Sequence, residues 1–207
     1  MAGDERARRS DMVDSLRRGG ISNRYVLEAM AEVPRQRFVD PELVPEAYTD
    51  QPLPIGSGQT ISVPWIVALM AEALDPSGTE NVLEIGTGSG YAAAVLARCC
   101  RRVTSVERHA DLAEGARRTL AELDYDNVEV RHGDGARGAP DRAPFDGISV
   151  TAMAEEIPQP LLEQLGPDGT LVCPVGHGGL GDLVRLRHGR RETLSSVGFV
   201  PLVTDES

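Results

Sequence analysis

The sequence predicts an α/β domain: a doubly wound, mostly parallel sheet with an antiparallel C-terminal edge, preceded by a helical N-terminal extension. Three observations carry that expectation. From residue 63 onward, short apolar runs alternate with helical patterns, the order that βαβ crossovers impose. One junction, VLEIGTGSGY at residues 82–91, puts three glycines between an apolar run and a helical pattern. The last two strand-like runs, DLVRLRH and VGFVPLV, have no helical pattern between them, so they are expected to pair as an antiparallel hairpin at the sheet edge.

The elements follow in order. A first helix is predicted over residues 11–18, and a second carries Val26, Leu27, Met30 and Val33 on one face at a 3.6-residue period. The stretch VPEAYTDQPLPIGSGQTIS holds too many turn formers for a regular element and reads as a loop. Then come a helix VPWIVALMAEAL, a strand NVLEI, a helix over residues 91–101 and a strand RVTSVE. A further helix turns Leu112, Ala116, Leu120 and Leu123 inward. Strands NVEVRH and FDGISV, a short helix PLLEQL and a strand TLVCPV lead into the terminal pair. This is a Rossmann-like arrangement in a single domain, residues 1–207. Residues 1–62 are expected to supply the N-terminal helices and an active-site loop, and residues 63–207 a ligand-binding core.

Composition narrows the class. The 207 residues suffice for one domain with a sizeable core, and 41% apolar with 26% charged residues is a globular balance. Basic residues number 21 against 32 acidic ones, a net charge of −11, which argues against a nucleic-acid or anionic-membrane partner. No apolar run approaches the roughly 20 residues that span a bilayer, and the charged start MAGDERARRSDMVDSLRR has no signal-peptide apolar region. Cys99, Cys100 and Cys173 are odd in number and two are adjacent, so free thiols in a reducing cytoplasm are expected. His109, His132, His177 and His188 show no ligand spacing, and no metal is expected. Trp65, Met70 and Leu74 read as core. Tyr91 reads as core or site, and His177 with GGLGD as a loop beside the site or a hairpin turn.

The glycine turn is the sharpest local signal. Gly86, Gly88 and Gly90 follow a strand and open a helix, the place in an open α/β sheet where ligands bind. Tyr91 stands where a dinucleotide fingerprint G-x-G-x-x-G would carry its third glycine, which disfavours a nicotinamide oxidoreductase. Acids close three successive strands: Glu84, Glu107 and Asp134. They repel a pyrophosphate but suit a ligand with a cationic centre, an amino group and a ribose, such as S-adenosyl-L-methionine. The other reading of Glu107 and Asp134 is as helix caps or solvated loop acids.

The pattern E-x-G-x-G-x-G, an acid at the next strand end and FDGISV resemble the class I S-adenosylmethionine-dependent methyltransferases. VPRQRFV, PLPIGSGQTISVPWIVALM, GDG, APFDGISVTA, IPQPLLEQLGPDGTLVCPVG and FVPLV, spread over residues 16–203, resemble the protein-L-isoaspartate O-methyltransferase family. That resemblance implies methyl esterification of the free carboxylate of L-isoaspartyl residues in proteins or peptides, followed by succinimide formation and repair. It places Ser62 at the active-site position with Thr60 beside it. It carries cofactor contacts onto Gln59, Thr60, Glu84, Gly86, Gly88, Gly90, Glu107, Asp134 and Gly135, and substrate contacts onto Ile61, Ser62, Thr151 and Ala152.

The chemistry suits these residue types. An acceptor carboxylate is ionised at neutral pH, so alignment matters more than a general base. A hydroxyl such as Ser62 can hold the carboxylate in line without acting as a nucleophile, and Gly88-Ser89-Gly90 lacks the spacing of a hydrolase elbow. Ser62 also lies just before a helix with Pro64 near its start, so it reads equally as an N-cap. One loop departs from the family pattern: in VTAMAEEIP, Met153 stands for an alanine and Glu155 for a proline. Added bulk and charge beside the substrate raise an alternative, a dedicated O-methyltransferase that converts an aspartate of one precursor peptide to an aspartimide. A non-catalytic S-adenosylmethionine-binding protein is the remaining rival.

Overall fold

A computed structural model describes residues 2–204, so Met1 and residues 205–207 of the expected domain lie outside the described residues. The chain opens with α1 (Ala2–Arg18), which starts nine residues before the predicted helix. Only its second half carries an apolar face, with Met12, Val13 and Leu16 buried, so periodicity could not reveal the charged first half. Asp4 and Glu5 in the first turn and Arg17 and Arg18 in the last complement the helix dipole. Helix α2 (Arg24–Glu32) is capped by Asn23, whose side chain accepts from the backbone N–H groups of Tyr25 and Val26. It buries Val26, Ala29 and Met30.

The expected loop that follows holds regular structure, which corrects the sequence reading. Two 3₁₀ turns (Arg35–Phe38 and Pro41–Glu46) lead to an antiparallel hairpin of β1 (Leu53–Gly56) and β2 (Gln59–Ile61). Gly56, Ser57 and Gly58 all take positive φ, at 93°, 49° and 69°. The turn formers that argued against a regular element are the residues that reverse the chain between its two strands.

Helix α3 (Pro64–Ala73) then feeds the main sheet, built from β3 (Asn81–Ile85), β4 (Arg102–Glu107), β5 (Val128–His132), β6 (Phe145–Val150), β7 (Leu165–His177), β8 (Leu180–Arg187) and β9 (Arg190–Gly198). The strand order is β5-β4-β3-β6-β7-β8-β9, parallel through β7 and antiparallel beyond it. Helices α4 (Tyr91–Cys99), α5 (Ala110–Glu122) and α6 (Gln159–Gln164) make the crossovers. The doubly wound sheet with an antiparallel edge is as the sequence predicts. Successive strands move outward from β3 to β5 and then return beside β3 with β6. That reversal is the switch point where a crevice opens at the strand ends.

Other boundaries differ too, and β7, predicted as the six residues TLVCPV, runs from Leu165 to His177. Helix α4 ends two residues early, because Cys100 is extended. The terminal strand is RRETLSSVG rather than VGFVPLV, and only Val197 and Gly198 are shared. Pro201 lacks an N–H and cannot continue a ladder. Residues 199–203 instead leave β9 and run beside the loop after β6, where Met153 N–H donates to Val200 O at 2.7 Å and Leu202 N–H to Met153 O at 2.7 Å. GGLGD turns β7 into β8, with Gly178 and Gly179 at positive φ. The buried side chains form two clusters, one joining α1–α4 to the sheet and one holding β6, α6 and β7. Among the described residues, no helix is long and apolar enough to cross a membrane.

Candidate active site

The crevice at the carboxyl ends of β3, β4 and β6 is a pocket with the glycine turn as its floor. Gly86 φ is 94° and its N–H donates to Val106 O at 2.8 Å, which locks the turn to β4. A Cβ on Gly86 would lie 2.3 Å from Thr151 Oγ1, so only glycine fits. Thr151 hydroxyl faces Ile85 O at 2.8 Å and Gly86 O at 2.7 Å, and Thr151 N–H donates to Ile85 O. The Thr151 side chain therefore braces the turn. A Cβ on Gly135 would approach Ile85 Cγ2 to 2.4 Å, another place where backbone must come close.

Glu107 ends β4 and faces the pocket with both carboxylate oxygens engaged by backbone. Oε2 accepts from Gly88 N–H at 2.8 Å and Oε1 from His109 N–H at 2.9 Å. Each oxygen keeps a further acceptor site, the arrangement a vicinal diol of a ribose requires. Glu84 behaves differently. It is fully buried, it does not line the pocket, and Ser105 Oγ donates to its Oε2 while Oε1 has no hydrogen-bond partner among the described residues. Burial, reinforced by the charge of Glu107 and opposed by the Ser105 hydrogen bond, pushes its carboxyl up to about 8. Thr87, which does line the pocket, meets Ser105 Oγ at 2.5 Å, so Glu84 sits one layer behind the wall.

Of the residues singled out in the sequence, Gln59, Thr60, Ile61, Ser62, Gly86, Gly88, Glu107, Gly135, Thr151 and Ala152 share this pocket. Glu84, Gly90 and Asp134 do not line it. Gly90 caps α4 at φ 90°. Asp134 caps the 3₁₀ turn Gly135–Arg137 through Ala136 N–H, the capping role the sequence left open. Ser62, by contrast, is not a cap: the N-cap of α3 is Val63, without a side-chain cap bond. Ile61 is largely buried in the core behind its pocket face.

The structure adds pocket residues that sequence reasoning missed. Ser149 lies opposite Glu84 on β6 and lines the wall. Residues 200–203 close one side, tied down by Arg108 Nη1 donating to Val203 O at 3.1 Å. Strand patterning had placed that segment in the sheet, and Pro201 was the available signal that it leaves. Met153 does not narrow the pocket, because its side chain is buried under the Pro201 segment. Glu155 is exposed, 3.5 Å from His177 Nδ1.

The family model for protein-L-isoaspartate(D-aspartate) O-methyltransferase matches residues 7–207. The chain belongs to the protein-L-isoaspartate O-methyltransferase family. The protein of that name from Pelotomaculum thermopropionicum is 50% identical over 98% of this chain and 92% of its own length. A solved protein-L-isoaspartate O-methyltransferase superposes with a TM-score of 0.85 at 27% identity, covering 95% of this chain and 66% of that one. A Plasmodium falciparum structure of the family, described as in complex with S-adenosyl-L-homocysteine, matches with a TM-score of 0.79 at 25% identity, over 93% and 97% of the two chains. As a member of the isoaspartate methyltransferase family, this chain is an enzyme and its cofactor is S-adenosyl-L-methionine. The pocket fits that group: glycine positions that a Cβ would obstruct, a diol-matched carboxylate at Glu107 and no basic cradle for a pyrophosphate among the glycine-turn residues.

Proposed function

We propose that the protein methylates the free carboxylate of L-isoaspartyl residues in proteins or peptides, with Ser62 and Thr60 on the acceptor side and Glu107 with the glycine turn on the cofactor side. The observation that carries this reading is that residues 59–62 and the glycine turn, far apart in sequence, line one pocket. On this reading residues 1–62 build the acceptor wall and residues 63–207 the cofactor core. When bound, the cofactor would supply an electrophilic methyl on a sulfonium: an oxygen of the acceptor carboxylate would form the ester bond as the S–CH3 bond breaks, and the neutral thioether S-adenosylhomocysteine would leave.

The chain's own residues then have to align and desolvate. Ser62, freed from capping, donates its hydroxyl to the acceptor carboxylate and leaves one oxygen pointing at the methyl. Ile61, Met70 and Leu202 make that part of the pocket apolar, which keeps water from the reacting oxygen. No general base is required, because the acceptor is already ionised. General repair is the reading favoured over a dedicated precursor peptide, since Met153 is core and only exposed Glu155 still distinguishes the loop.

The test is transfer from labelled S-adenosylmethionine to two peptides that differ only in L-isoaspartate or L-aspartate at one position. Transfer to the isoaspartyl peptide alone is expected. The variant Ser62→Ala should lower kcat/KM about 10- to 100-fold, the worth of one charge-assisted hydrogen bond, with cofactor binding intact. Equal rates for Ser62→Ala and wild type would remove Ser62 from the mechanism. Transfer only to the aspartyl peptide would overturn the substrate.

A further inference from the structure

We propose that Arg35 is a positioning residue for methyl transfer: its guanidinium ties the acceptor wall of the pocket to the first turn of α4 and so sets the approach of acceptor to methyl donor. The side chain is fully buried, and no carboxylate among the described residues pairs with it. Its Nε donates to Ala47 O at 2.6 Å and its Nη2 to Ser62 O at 2.8 Å. Its guanidinium carbon lies 4.6 Å from the centre of the Tyr91 ring. Tyr91 is the residue after the glycine turn, it lines the cofactor pocket, and Phe38 packs edge-on against it at 5.7 Å. Ser62 lines the same pocket from the other wall.

A buried cation with no carboxylate in ion-pair contact is expensive, even with Asp50 acting on it from further off, and an apolar side chain of similar volume would avoid that cost. Burial accordingly pulls the Arg35 pKa down, with Tyr91 the largest opposing influence. What an apolar side chain could not do is join carbonyls fifteen residues apart, Ala47 and Ser62, while stacking on an aromatic face. A lysine ammonium carries three N–H donors but no planar fork, so it cannot hold both carbonyls in this geometry while stacking on the Tyr91 ring. The Ser62 carbonyl is the backbone of the residue proposed to orient the acceptor carboxylate. A shift there displaces the hydroxyl by the kind of distance to which methyl transfer is most sensitive.

The inference rests on the isoaspartyl reading for its kinetic arm, so the experiment has a second arm that does not. Arg35→Lys and Arg35→Met would be compared with wild type well below their melting temperatures. Single-turnover methylation of the isoaspartyl peptide is expected to slow about 10-fold in Arg35→Lys and about 100-fold in Arg35→Met. Calorimetric affinity for S-adenosylhomocysteine should stay close to wild type. Amide hydrogen exchange should speed up over residues 53–62 while β3, β4 and α4 keep their protection.

Protection lost throughout the core, an unchanged methylation rate, or a cofactor affinity that falls as far as the rate would each overturn the positioning role. If Arg35→Met does not fold, Arg35→Lys decides alone. If wild type methylates no isoaspartyl peptide, the substrate reading fails. In that case local exchange over residues 53–62 supports the clamp, and unchanged exchange there overturns it.

Discussion

Glu107 shows how one side chain can serve architecture and ligand together. By accepting from Gly88 and His109 N–H groups, its carboxylate holds the glycine turn against the end of β4. In Glu107→Gln one of those N–H groups would face an amide N–H instead of an oxygen, and a cofactor hydroxyl would lose a charged acceptor. The expected outcome is a 10- to 100-fold rise, roughly, in the calorimetric Kd for S-adenosylhomocysteine, the worth of a hydrogen bond to a charged group. An unchanged Kd would take Glu107 out of the cofactor cradle. Glu107 was legible in the sequence because an acid ending a strand after a glycine turn is a local pattern. Arg35 was not: VPRQRFV shows an arginine among apolar residues, but its carbonyl partners lie in a loop and in the acceptor segment. Glu84 was read as a ligand contact because spacing cannot distinguish a side chain facing the pocket from one facing the sheet interior.

Elements ended where the backbone chemistry allowed. Helix α5 closes with Leu123 as C-cap, and Asp124 follows at φ 58°, a left-handed conformation that costs a side chain what glycine avoids. Asp124→Gly is expected to stabilise the fold by about 0.5–1 kcal/mol, read as a rise in melting temperature with methyl transfer unchanged. A fall in melting temperature would mean that the Asp124 side chain contributes more than its backbone strain costs. The β1–β2 hairpin was hidden for the related reason that its strands are short. Leu53–Gly56 and Gln59–Ile61 are too brief for a period-2 signal, so the glycines between them read as loop. The charged half of α1 and the polar strand β9 were obscured alike, since periodicity detects buried faces and these elements expose most of theirs.

At the scale of the whole molecule, folding buries a carboxyl group that would ionise in the unfolded chain. Glu84 is raised from an ordinary value of 4.5 to about 8, so between those values the folded protein holds a proton that the unfolded chain has released. The stability this allows is fully present below pH 4.5 and is lost as the pH rises through about 8. Melting curves of wild type should therefore fall more steeply between pH 5 and pH 9 than those of Glu84→Gln. Parallel curves would show that Glu84 does not titrate across that range in the folded state.

By itself the sequence determined the succession of strands and helices from α3 to β8, the glycine turn at the switch point, the acid at the end of β4 and the family. All of these are written in local spacing, because period, turn chemistry and motif order need only neighbours along the chain. Tertiary structure alone decided which acids face the pocket and that Ser62 is released from capping. It also decided that Met153 is core, that residues 199–203 form a pocket wall, and that Arg35 bridges two carbonyls beneath the site. Those outcomes depend on side-chain direction and on segments brought together by folding, and no local pattern encodes either.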